Sequence, residues 1–269
     1  MDAGARSVRC VPAVSKHPVL HDPALGDLTD DALTRDYRVY QRAKGHRFSS
    51  DDMATAHVAW RAASSARKVL DLGCGLGSVL LQLAWTLKEA SFVGVEAQSS
   101  SFELLRRNVE RNSLGHRVTI HHGDLRDPAV VAGLGTGFDL ITGTPPYFPP
   151  DTASDALDEQ RAYARIEYRG GVEAYIATGA RLLAEGGVLV LCGDARAGLR
   201  VERATTEAGL FIAARCDIIP YEERPALFSI WTLLRRPSAR ALSALTLRDA
   251  EGRATADARR LRAFSGFDP

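Results

Sequence analysis

Residues 67–77 read Arg-Lys-Val-Leu-Asp-Leu-Gly-Cys-Gly-Leu-Gly, and no other stretch constrains the fold as strongly. A short apolar run, Val69 and Leu70, ends in Asp71 and breaks into glycines at 73, 75 and 77; a helical pattern starts near Ser78. That order predicts a strand, a tight turn and a helix whose first amides lack an internal partner. Without side chains, such a turn lets a ligand lie directly against the main chain. The spacing is GxGxG, and Ser78 stands where the dinucleotide fingerprint GxGxxG has glycine or alanine, which disfavours a nicotinamide-dependent dehydrogenase.

Outward from this unit, strands and helices alternate at α/β spacing. The strand at 67–71 leads to a helix near 77–89, the strand 91–96 to a helix near 100–112, and the strand 118–121 to a short helix after Asp127. A fourth strand, 138–142, runs into Pro145 and Pro146; a helix near 171–184 precedes the fifth, 187–191; a helix near 197–208 leads to 211–219 and then 226–234. Continuous Val, Ile and Leu runs suit strands covered on both faces, as in a parallel sheet. The last two, joined through Pro220 and Pro225, suit an antiparallel hairpin at one edge. Upstream, 33–41 alternates weakly like a strand. Ser49 or Ser50 suits the cap of a helix to about Ala66, with Asp51 and Asp52 in its first turn.

The chain of 269 residues carries 34 Lys+Arg against 33 Asp+Glu, so bulk charge gives no sign of a dedicated nucleic-acid binder. Local basic clusters remain: Arg35, Arg38, Arg42, Lys44 and Arg47 face one acid, Asp36, and the end of the chain adds Arg235, Arg236, Arg240, Arg248, Arg253, Arg259, Arg260 and Arg262. Cysteines 10, 74, 192 and 216 form no CxxC pair, which speaks against a disulfide framework or a zinc site. Cys74 reads as a small turn filler. No apolar run approaches a membrane span. The first twenty residues hold Arg6, Arg9 and Lys16 without an apolar core, unlike a secretory signal; an organelle presequence stays open, and the reducing cytoplasm is the expected location. Residues 1–32 read as a loose leader, 33–236 as one domain with an N-terminal strand and helix extension, and 237–269 as an Arg/Ala-rich tail, either a short strand and helix or mobile.

Ligands of an open α/β sheet bind at the carboxyl ends of its strands. Three acids arrive there: Asp71 after the first strand, Glu96 after the second and Asp124 after the third. Singly each reads as a cap or turn former; together they suggest one ligand. Glu96 suits a ribose diol, since two carboxylate oxygens accept both hydroxyl protons. Asp124 suits an adenine amino group, and Asp71 a positively charged end. His121 and His122 lack companion ligands, so no metal is expected.

The aspartate and its GxGxG loop resemble the S-adenosylmethionine loop of class I methyltransferases, which implies a Rossmann-like, seven-stranded, mostly parallel sheet. The run 138–148, Phe-Asp-Leu-Ile-Thr-Gly-Thr-Pro-Pro-Tyr-Phe, resembles the Asn-Pro-Pro-Tyr motif of methyltransferases acting on planar nitrogen. An exocyclic amine is a poor nucleophile because its lone pair is delocalised; acceptors for its N–H protons favour a pyramidal nitrogen and stabilise the charge that develops. Upstream, the run 40–51, Tyr-Gln-Arg-Ala-Lys-Gly-His-Arg-Phe-Ser-Ser-Asp, resembles the Gln-Pro-x-x-Gly-Tyr-Arg-Phe-Ser-x-Asp segment of the bacterial tRNA(Val) adenine-N6 methyltransferase family. With Ala-Arg-Ile-Glu at 164–167, the resemblance covers about residues 37–234.

That resemblance implies S-adenosylmethionine as cofactor on Asp71, Gly73, Gly75, Gly77, Glu96, Asp124 and Thr144. It implies methyl transfer directed by Thr144, Pro145 and Tyr147, with Pro146, Tyr147, Phe148, Arg47 and Phe48 contacting substrate. Tyr147 would stack on the target base, although an aromatic pair there equally suits a cover over the open sheet end. Arg165 and Glu167 equally suit a helix-face ion pair. The chain departs from the family in three places: Thr144 replaces Asn, His46 replaces Tyr, and Arg42 or Ala43 stands where the family has Pro. The implied reaction is N-methylation of a planar amine, adenine N6 in tRNA or other RNA. The alternatives are a protein amide or small metabolite as substrate, or a cofactor-binding relative without turnover.

Overall fold

In the structure, a computed structural model, residues 19–150 and 158–268 are described. In chain order the elements are β1 (Leu20–Asp22), β2 (Gly26–Ala32), β3 (Arg38–Arg42), α1 (Ser50–Ala62), β4 (Lys68–Leu72), α2 (Ser78–Thr86), β5 (Ser91–Glu96), α3 (Ser99–Arg111), β6 (Val118–His122), α4 (Pro128–Leu134), β7 (Phe138–Gly143), α5 (Glu159–Arg165), α6 (Val172–Leu182), β8 (Leu183–Asp194), α7 (Gly198–Glu207), β9 (Phe211–Ile219), β10 (Phe228–Leu234), β11 (Ala241–Thr246) and α8 (Ala256–Phe264).

Eight strands form the main sheet in the order β11-β9-β10-β8-β7-β4-β5-β6. Only β10 runs against the rest, pairing antiparallel with both β8 and β9. The order reverses between β4 and β7, which lie side by side in parallel register (Asp71 opposite Thr142), so the switch point where such sheets bind ligands sits there.

Side chains alternate between the two faces. Val188, Val190 and Cys192 of β8 pack with α1, α2, α3 and α8, whereas Leu189 and Leu191 pack with α4, α6 and α7. The apolar runs of the sequence are continuous because both faces are covered. Trp231, Phe92 and Phe138 are the largest fully buried side chains, each contributing about 1.5–3 kcal/mol by burial.

The chain ends differ from expectation. Residues 20–32, expected to be loose, form β1 and β2, and β2 pairs with β3 in a separate three-stranded antiparallel sheet. Its acid-rich sequence hid the buried positions: Leu25 and Leu28 are buried, and Asp31 is buried because Thr29 Oγ1, Gln41 Nε2 and Arg47 Nη2 all donate to it. The weak alternation at 33–41 resolves into a turn, where the amides of Leu33 and Thr34 donate to Tyr37 O, followed by β3 alone.

Expected at the edge, the hairpin lies inside it: β11, from the Arg/Ala-rich end, covers β9 in parallel as an eighth strand. Leu245, Leu247, Ala258 and Leu261 anchor that end in the core. The Arg165–Glu167 ion pair, one of the two readings of these residues, does not form; Glu167 binds Arg200 (2.9 Å), and the Arg165 guanidinium lies over the Phe148 ring. Cys10 lies outside the described residues, and Cys74, Cys192 and Cys216 are buried free thiols.

Candidate active site

A cleft of about 850 Å³, open mouth included, lies at the carboxyl ends of β4, β5, β6 and β7. The loop between β4 and α2 forms its floor. Gly73, Gly75 and Gly77 all have positive φ (59°, 56° and 95°), which side chains resist. Their reasons for being glycine differ. A Cβ on Gly73 would stand 2.1 Å from the Tyr175 hydroxyl, and one on Gly77 would stand 2.7 Å from Leu105 Cδ1. A Cβ on Gly75 would meet nothing within 4 Å. Gly75 is therefore the point where main chain faces open cleft.

Glu96 ends β5 and lines the cleft. Its carboxylate accepts from the Gly75 amide on Oε2 (2.8 Å) and from the Gln98 amide on Oε1 (2.7 Å), which fixes its plane. Burial pushes this carboxyl above the usual range, although both amide bonds oppose the shift. Asp124 also lines the cleft, gripped by Arg126 through Nε and Nη2. Burial alone would raise its carboxyl, but the bonds from the Arg126 side chain and amide bring it below the usual range.

Asp71 stands apart from both: it is 2% exposed, Thr142 Oγ1 donates to its Oδ1 (2.8 Å), and Oδ2 has no partner. Burial pushes it up to about 7, despite the Thr142 bond. A buried oxygen left unpaired is costly, and Asp71, expected on the cofactor, lies behind the cleft rather than among its lining residues.

The first turn of α1 joins two walls of this cleft. Asp52 accepts from the Ser49 amide (2.8 Å) and from Ser78 Oγ (2.8 Å), so the serine that breaks the dinucleotide fingerprint is held by α1. Burial, reinforced by the charge of Asp51, pushes Asp52 up to about 8. Asp51 accepts from the Tyr147 hydroxyl (3.0 Å), which also lies 3.0 Å from Cys192 Sγ.

Of the residues expected around the substrate, Thr144, Pro146 and Phe48 line the cleft, while Pro145 is buried behind them. Tyr147 is not on the cleft wall; its ring packs against the core, and its hydroxyl is held by α1. Phe148 sits in a one-residue bridge to Ile166, with its amide donating to Arg165 O (3.0 Å). Arg47 turns towards the N-terminal sheet, where Thr29 Oγ1 (2.9 Å) and Asp31 Oδ2 (2.8 Å) accept from it.

The sequence reading missed His46, Gln98, Ser101, Tyr163, Arg169 and Tyr175, all on the wall. It also gave α5, which carries Tyr163, no bounds beyond a helix face suggested at Arg165. Asp158 caps α5 by accepting from the Arg161 amide (3.1 Å), a signal that was present in the sequence. Buried Gln160 accepts from the His46 amide and donates to Ser101. A Cβ on Gly45 would stand 2.1 Å from Gln160 Oε1, which explains that glycine. His122 stacks on Phe102 (4.8 Å). Among the described residues no group of three or more His, Cys, Asp or Glu could hold a metal ion, and no helix is long and apolar enough to cross a membrane.

Comparison with known proteins places this geometry. Residues 69–166 match the family model described as a methyltransferase domain. A predicted O-methyltransferase from Agrobacterium tumefaciens shares the fold with a TM-score of 0.62 at 21% identity, over 81% of this chain and 98% of that one. TYW2 from Pyrococcus horikoshii, solved in complex with MeSAdo, shares it with a TM-score of 0.52 at 15% identity, over 78% and 72%. The protein is thus an S-adenosylmethionine-dependent methyltransferase with a Rossmann-like fold.

The tRNA1(Val) (adenine(37)-N6)-methyltransferase of Yersinia pestis (strain Pestoides F) is 30% identical over 197 residues, covering 72% of this chain and 77% of the relative. Its counterpart in Yersinia pseudotuberculosis serotype O:1b matches to the same extent. The chain belongs to the tRNA1(Val) (adenine(37)-N6)-methyltransferase family.

Proposed function

We propose that this enzyme methylates the N6 amine of an adenine in tRNA. The observation that carries the reading is the Thr144-Pro145-Pro146 turn: it leaves β7 at the switch point and puts Thr144 and Pro146 on the same cleft as Glu96, Asp124 and the Gly75 main chain. The names of the relatives support the nucleic-acid part.

In this reading Glu96 accepts from the ribose hydroxyls with the lone pairs left after the Gly75 and Gln98 amides. Asp124, steadied by Arg126, accepts from the cofactor's adenine amine, and the unpaired Asp71 Oδ2 balances the ammonium of the methionine end. When bound, S-adenosylmethionine supplies an electrophilic methyl group on a sulfonium. The target amine is held by Thr144 Oγ1 and the Pro145 carbonyl as acceptors. Positive charge builds on the nitrogen as it attacks, and preorganised acceptors are then worth more than in the ground state.

Phe48 and Pro146 give the base an apolar wall, and Tyr147 acts from behind, fixing the turn through Asp51. A second reading, methylation of a protein amide or a small metabolite, rests on Thr144: one short hydroxyl stands where the family motif has an amide. Incubation with methyl-labelled cofactor and separate pools of total RNA, protein and metabolites decides between them. Label is expected in the tRNA fraction; label confined to either other pool refutes the proposal.

A further inference from the structure

We propose that the RNA backbone flanking the target nucleotide is gripped by three arginines, Arg161, Arg165 and Arg169, on the rim of the cleft beside α5. This inference rests on the RNA reading above and names the surface that would serve it.

The two basic segments that the sequence offered for RNA are largely neutralised in the fold. Arg38 pairs with Asp30, Arg42 with Asp158, Arg47 with Asp31, Arg236 with Glu185, Arg240 with Glu202 and Arg253 with Asp249. Arg235 donates to the carbonyls of Ala180 and Leu183. A guanidinium facing a carboxylate adds little to the outward potential.

Among the described residues Arg161, Arg165 and Arg169 form no ion pair with a carboxylate, although the charge of Arg169 reaches Glu96 and Asp124 across the cleft. Two of them lie over aromatic rings instead, Arg165 over Phe148 (5.6 Å) and Arg169 over Tyr163 (4.3 Å), and Tyr163 meets Tyr168 edge to face (5.4 Å). An arginine resting on a ring keeps its charge and its planar fork of donors for a phosphate.

Their placement fits the same use. Arg161 and Arg165 are four residues apart and so share a side of α5; both are exposed. Arg169 follows after a turn in which the Gly170 amide donates to Glu167 O (3.1 Å), and it lines the cleft together with Tyr163. The charge of the first two reaches the cleft wall: His46 is held below its usual range chiefly by burial, with Arg161 and Arg165 adding to the effect. Bases splayed from a single-stranded loop are commonly held between aromatic or guanidinium planes, and this rim offers both beside the cleft.

The test is the salt dependence of binding of an unmodified tRNA transcript. Each lost phosphate contact on a single strand lowers the slope of log affinity against log salt by about 0.7. Replacing Arg161→Gln and Arg165→Gln together is expected to lower it by about 1.4, so that between 50 and 200 mM salt the variant loses about sevenfold less affinity than the wild type. The Arg161→Lys/Arg165→Lys protein is expected to recover the slope, and Arg240→Gln to leave it unchanged. Cofactor affinity, measured by calorimetry, shows that each variant is folded. Tight tRNA binding by wild type with an unchanged slope in the glutamine variant overturns this inference alone. Absence of any salt-dependent tRNA binding by wild type overturns it together with the RNA reading.

Discussion

Replacing Asp71→Asn separates two consequences of one buried carboxyl. Asp71 is 2% exposed, has one hydrogen-bonded oxygen and one unpaired, and is pushed by burial from 3.8 up to about 7. In the unfolded chain it ionises near 3.8. Between these values the native state holds a proton that the unfolded state lacks, so stability falls as pH rises through the window and levels off above it. At about 1.4 kcal/mol per pH unit, this group costs the native state about 3 kcal/mol between pH 5 and pH 8.

Asparagine cannot ionise. In urea titrations of the cofactor-free protein at pH 5 and pH 8, Asp71→Asn is expected to lose about 3 kcal/mol less than the wild type over that interval. The slope that persists belongs in part to Asp52, pushed up to about 8 and shifted in the same direction. Affinity for S-adenosylmethionine at pH 8 is expected to move the other way and weaken, because a neutral amide does not balance an ammonium. Equal pH losses in the two proteins, or undiminished affinity in the variant, refute the reasoning.

Glu96→Ala removes the acceptor for the Gly75 and Gln98 amides along with the proposed ribose contact; cofactor affinity by calorimetry is expected to fall at least about tenfold, with the circular dichroism spectrum retained. Tyr147→Phe removes the hydroxyl between Asp51 and Cys192, and is expected to destabilise by about 1–2 kcal/mol in urea titrations. It should also lower turnover with cofactor affinity kept; unchanged turnover shows that the turn does not need this anchor. Thr144→Val keeps the shape and deletes the acceptor, so kcat on RNA is expected to drop at least about tenfold with little change in KM. A KM effect alone assigns Thr144 to ground-state binding.

Much of the fold was legible because the middle of the sheet is covered on both faces, so strands such as β8 and β10 read as largely apolar runs. Ser91–Glu96 and Phe211–Ile219 were read to the residue. The glycine loop was equally plain, although only Gly75 owes its identity to open cleft; Gly73 and Gly77 are dictated by Tyr175 and Leu105, partners distant in sequence. The first sheet was missed because Asp31 looks like a surface acid until Arg47 and Gln41 are seen around it. The same bond removed Arg47 from the substrate side. Tyr147 lies on the expected turn, but of the two roles read for it the structure shows the packing one, with its hydroxyl held between Asp51 of α1 and Cys192 of β8, partners distant in sequence. The last strand was hidden because four of the six residues of β11 are exposed and arginines flank it, Arg240 pairing with Glu202 just before it.

The account is tested most directly by mass spectrometry of nucleosides from tRNA incubated with the purified enzyme and S-adenosylmethionine. It predicts accumulation of N6-methyladenosine with the wild type and its loss with Thr144→Val. Transfer of methyl to a different nucleoside position, or none to tRNA while the cofactor binds, contradicts it.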